Sequence, residues 1–153
     1  MNKRIMLVAI TVLFTVSCGE KLYTPLTAEL TVLNEQKHKT IALRSLGYGN
    51  TENEAIGDSE RKVFEIIFFR GIPNTSVEKP LIGSNEASIT SKHKAYFEAF
   101  FKGRYRSFVM SSYISSPYKK REKVFTGTTD IKINLMSLKK DLEDNNIIRK
   151  FGL

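Results

Sequence analysis

The chain has 153 residues, 24 lysines and arginines against 16 acidic residues, a net charge of +8, two histidines and one cysteine. A single cysteine excludes a disulfide-stapled scaffold, and two histidines leave little material for a metal centre. The basic balance invites a nucleic-acid reading, but the chain's own first residues argue against it.

Lys3 and Arg4 form a short positive region, Ile5 to Val16 follow as an almost unbroken apolar run, and Ser17-Cys18 ends it with a small residue and the only cysteine. A run of about a dozen apolar residues is too short to span a bilayer, which takes roughly twenty. The layout is that of a bacterial export signal, and Thr15-Val16-Ser17-Cys18 makes it resemble a lipoprotein signal. That resemblance implies a signal peptide over residues 1–17, a Cys18 carrying a diacylglyceryl group and an N-acyl chain, a tether over 18–27, and one domain over 28–153. Gly19, in place of the aspartate that holds such proteins at the inner membrane, implies the outer membrane, facing the periplasm or the cell surface. An exported domain of this charge meets anionic lipid headgroups, lipopolysaccharide and acidic wall polymers, not nucleic acid.

In the domain, Ala28 to Asn34 alternates with Leu30 and Val32 on one face, and Lys39 to Tyr48 alternates with Ile41 and Leu43 on one face. The polar break between them predicts a hairpin, and Gly47 and Gly49 end its second strand. Thr51-Glu52-Asn53-Glu54 is a capping box, in which the Thr51 hydroxyl accepts from the Glu54 N–H while the Glu54 carboxylate reaches back. A helix follows over 52–70, with Ala55, Ile56, Ser59, Val63, Phe64, Ile66, Ile67 and Phe68 at helical spacing. Gly71 to Glu86 is a long connection of the kind that is often functional. A second helix is expected over 88–102, with Tyr96, Phe97, Phe100 and Phe101 as an aromatic stripe. Strands over 106–115 and 124–135 flank a basic loop, 116–123, and a third helix over 137–145 carries Leu138 and Leu142. The order β-β-α-α-β-β-α predicts an α+β domain, an antiparallel sheet of about four strands with helices on one face and the other face open.

Few motifs carry chemistry. His38 and His93 have no second ligand at metal spacing, and no cofactor is indicated. Gly57-Asp58-Ser59 matches an esterase block, yet it falls inside the capped helix with Ser59 on the buried stripe. Gly47-Tyr48-Gly49 before a helix start is a weak anion-binding signal, opposed by Glu52 and Glu54. The aromatic and basic stretch from Lys92 to Phe108 reads as core packing, with Tyr105, Arg104 and Arg106 exposed beyond it. Lys119, Lys120, Arg121 and Lys123 form the densest positive patch. Together with Arg104 and Arg106 they are the candidate contacts for a partner or an anion, and the Gly71 to Glu86 loop is a second candidate surface.

The spacing of Gly47, Gly49 and Ala55, followed by Ile131, Ile133, Leu135, Leu138 and Leu142, resembles the small-lipoprotein and flagellar-assembly domains. The chain also resembles the small lipoproteins of Bacteroides-type bacteria. Neither resemblance brings catalytic residues. The expectation is a non-enzymatic, lipid-anchored envelope domain that docks onto an envelope protein. The alternative is a binding module for an anionic envelope polymer or lipid, and an envelope hydrolase stands third.

Overall fold

Residues 30–150 are described by the computed structural model; the signal-like segment, Cys18 and the expected tether lie outside the described residues. The chain runs through β1 (Leu30–Gln36), β2 (Thr40–Gly49), α1 (Glu52–Phe69), α2 (Glu86–Lys92), α3 (Lys94–Lys102), a short 3-10 helix (Arg104–Phe108), β3 (Val109–Arg121), β4 (Val124–Asn134) and α4 (Leu135–Asp144). The strands form one antiparallel sheet in the order β1-β2-β4-β3. The expected α+β architecture is present, with one helix more than expected.

Alternation along the strands sorts their side chains onto two faces. Ile41 and Leu43 of β2 stand in register with Ile133 and Ile131 of β4, all four buried under the helices. The intervening Ala42, Arg44, Leu46 and Tyr48 pair with Lys132, Asp130, Thr128 and Thr126 on the opposite, open face. α1 lies across β2 and β4. Its Phe64 and Phe68 rings meet Phe97 and Phe100 of α3, Tyr105 and Phe69 in edge-on and tilted contacts, and Phe100 stacks on Phe108. Leu135, Leu138 and Leu142 of α4 complete this core.

The α1 cap forms largely as the sequence dictates. Thr51 accepts from the Glu54 N–H at 3.2 Å, but the Glu54 carboxylate reaches one residue further back, to the Asn50 N–H at 2.9 Å. Gly47 and Gly49 close β2, and both are needed for a second reason. A Cβ at Gly47 would stand 2.0 Å from the Ala55 carbonyl oxygen, and one at Gly49 would stand 2.5 Å from the Ala55 nitrogen. The glycines let the start of α1 lie directly against the strand.

The helix expected over 88–102 is two helices that break at His93. α2 buries no residue, whereas α3 buries Phe97 and Phe100. The aromatic residues dictate the direction of α3, and the polar, β-branched Ser88-Ile89-Thr90-Ser91 has no apolar stripe to hold a continuous axis. The connection over residues 71–85 is a core-building strap. Ile72 and Val77 are buried, and the Leu81 and Ile82 N–H groups donate to the carbonyls of Ile67 and Phe68 at 3.0 Å each.

Candidate functional site

β3 and β4 build the site. The sequence places 116–123 in a loop, but β3 continues to Arg121 and a two-residue turn, Glu122-Lys123, joins it to β4. The register shifts three times along β3, the last time between Ser116 and Lys119. At that bulge Tyr118 crosses to the helix side. Its ring lies over Gly127, where a Cβ would be 2.7 Å away, and its hydroxyl shares a hydrogen bond of 2.8 Å with buried Thr129. Pro117, which has no N–H to donate, is tolerated at such an edge bulge.

The bulge re-aims the residues beyond it, as bulges beside binding sites do. Lys119 and Arg121 stand in register with Thr126 and Val124 on the open face. Together with Leu46, Tyr48, Ser116, Pro117, Glu122, Gly127 and Thr128 they line a concavity of ≈ 560 Å³. Small-molecule sites span about 300–1,000 Å³. Its floor is the threonine rows of β4, and the Tyr48 ring is at one wall. Lys120, in register with Phe125, projects away from the concavity, and Lys123 sits in the turn. Among the described residues, Lys119 and Arg121 have no ion-pair partner.

The wall is braced from α1. Beyond its register with β1, the β2 edge is held by side chains: Lys62 Nζ donates to the Leu46 carbonyl at 2.9 Å, and Asp58 accepts from the Tyr48 N–H at 3.0 Å. Lys62 and Asp58 pair at 3.3 Å, and the Lys62 ammonium lies 5.0 Å from the Tyr48 ring centroid. Further along the open face, Arg44 clasps Asp130 with both ends of its fork, at 2.7 and 2.8 Å. Those hydrogen bonds outweigh desolvation and hold the Asp130 carboxyl down at about 2.

The other two candidate cations lie elsewhere. Arg104 and Arg106 belong to the short 3-10 helix before β3, at the far end of that strand from Lys119 and Arg121. Both are exposed but engaged: Arg104 with Asp141, and Arg106 with Glu60 at 3.7 Å. Tyr105, expected on the surface, is buried. Its hydroxyl donates to Glu60 at 3.0 Å, and Ser112 donates to the same carboxylate at 2.9 Å. An internal acid therefore draws this segment inward. No local pattern signals it, because Glu60 sits on a largely apolar stripe. The six basic candidates thus divide into a groove pair, two flanking lysines and a structural pair.

The remaining motifs do not converge. Ser59 of Gly57-Asp58-Ser59 is fully buried and donates to the Ile56 carbonyl at 2.7 Å. Among the described residues no cluster of three potential metal ligands occurs, and no helix is long and apolar enough to cross a membrane. Comparison with protein-family models, curated proteins and solved structures finds no match to this chain.

Of the residues lining the concavity, the sequence singles out Lys119 and Arg121 and not Tyr48, Ser116, Thr126 or Thr128. The signal was the Thr126-Gly127-Thr128-Thr129 run: on a half-buried strand, alternate threonines must share the solvent face.

Proposed function

We propose that this chain is a lipid-anchored, non-enzymatic envelope domain that binds an anionic envelope component on the open face of its sheet. The observation that carries the reading is the concavity holding Lys119 and Arg121 without carboxylate partners among the described residues. Unpaired cations beside hydroxyls in a recess favour an anion that also accepts and donates hydrogen bonds. The lipoprotein-like Met1 to Cys18 segment supports placement in the envelope, where such polymers and headgroups are found. The test is mass spectrometry of the native N-terminus: an acylated Cys18 at the first position is the expected result, and an unprocessed Met1 overturns the anchoring.

A protein-docking role is the second reading, favoured by one observation. Met110, Tyr113 and Ile114 are 54%, 59% and 46% exposed on the edge strand β3. Affinity capture from detergent-solubilised envelope supports this reading if it recovers a stoichiometric protein that a Tyr113→Ser variant loses.

A further inference from the structure

Resting on the anion-binding reading, and going beyond it to the ligand's chemistry, we infer that the groove takes an acidic polysaccharide: linked sugar rings carrying carboxylates. Three features of the concavity converge on that class. Lys119 and Arg121 supply two charges on one wall, spaced as alternate strand residues. Ser116 and Thr126 supply short hydroxyls on the floor, able both to donate and to accept, and Thr128 adds one that already shares a 2.9 Å hydrogen bond with Ser115. Tyr48, 36% exposed, offers part of a ring to the apolar face of a sugar, with the Lys62 ammonium 5.0 Å from its centroid. The groove is also open at the surface, as a polymer running through it requires.

Charge is not uniformly favourable. Glu122 lines the same concavity, and its carboxylate repels an anion brought to the turn. Asp58 lies behind Tyr48 but is paired with Lys62. Two cations against one carboxylate still leave the lining net positive. A bilayer surface fits less well. A flat headgroup plane does not reach hydroxyls at the floor of a recess.

The experiment uses the full chain as its Cys18→Ser variant, which carries no acyl chain to insert into a bilayer and needs no detergent, with polygalacturonate as probe, uncharged dextran as control, and phosphatidylglycerol vesicles as the membrane arm. Saturable binding to polygalacturonate is expected, weakening as salt rises, with no binding to dextran. Removing both groove cations, Lys119→Ser with Arg121→Ser, weakens it about tenfold or more. Removing the same charge outside the groove, Lys120→Ser with Lys123→Ser, weakens it less than about threefold, as exposed charges do. Thr126→Val with Thr128→Val lowers affinity without changing the salt dependence. All three double variants must keep the parent's thermal midpoint.

Equal losses from the two lysine and arginine pairs overturn the groove assignment. Tighter binding to vesicles than to polygalacturonate overturns the polysaccharide in favour of the membrane. Neither outcome touches the acylation of Cys18, so failure here is distinguishable from failure of the proposed anchoring.

Discussion

Glycine does opposite things at Gly47 and at Gly57. Gly47 is pressed against the Ala55 carbonyl, so any side chain must push strand and helix apart. Gly57, in the second turn of α1, has nothing within 4 Å of where a Cβ would stand. Gly57→Ala is therefore expected to stabilise the fold by about 0.5–1 kcal/mol, and Gly47→Ala to destabilise it by about 1–3 kcal/mol or more. Urea denaturation of the two variants checks both signs. Asp130 makes a second prediction at this scale. Its carboxyl ordinarily titrates at 3.8 and here is held down at about 2 by Arg44. A depressed folded value stabilises above the unfolded one and is lost on acidification, so this contribution disappears between 3.8 and about 2. The stability lost on moving from pH 4 to pH 2 should be smaller in Asp130→Asn than in the parent. An equal loss contradicts the assignment.

Among the elements, α3 and α4 are tied by one acid. Asp141 accepts from the Tyr96 hydroxyl at 2.7 Å and is paired with Arg104, while Asn145 caps the end of α4 on the Asp141 carbonyl. Burial, with the Asp141 hydrogen bond, pushes the Tyr96 phenol far up, so it stays a donor throughout the working range. Asp141→Ala should cost about 1–3 kcal/mol and speed amide exchange in α4 more than in β2 or β4. Uniform acceleration would place the acid's role elsewhere. These ties also explain what was legible beforehand. α1 could be read because its cap, stripe and terminator agree along a single stretch of chain. The β1–β2 hairpin could be read only in part: alternation marks β2 and the start of β1, but a register shift between Val32 and Asn34 carries β1 on to Gln36 through the polar residues that read as the turn. β3 could not, since three register shifts break its alternation and turn Tyr118 to the wrong side for its position. The break at His93 was illegible too, because the decision is made by rings docking on Phe64 and Phe68, distant in sequence.

At the scale of the molecule, the sheet's two faces have divided the labour. One is sealed by α1, the aromatic rings and the α4 leucines; the other carries threonines, a clasped Arg44–Asp130 pair and the recess. The half of the site made of charges was visible in the sequence, because basic residues cluster within a few positions. The half made of Tyr48 and the threonines was not, because it depends on β2 and β4 lying side by side. Anchoring belongs to this scale as well. A Cys18→Ser chain should leave the membrane pellet for the soluble envelope fraction while its circular dichroism spectrum stays that of the parent. Retention in the pellet would mean that something besides acyl chains holds it there.

The first described strand enters the sheet with Leu30 opposite Ser45, one residue from Leu46 at the recess. About a dozen residues separate Leu30 from Cys18, a leash of at most ~40 Å at 3.3–3.6 Å per residue. If Cys18 is acylated as proposed, that length caps how far from the bilayer the recess can work, and polymer beyond the cap lies out of its range.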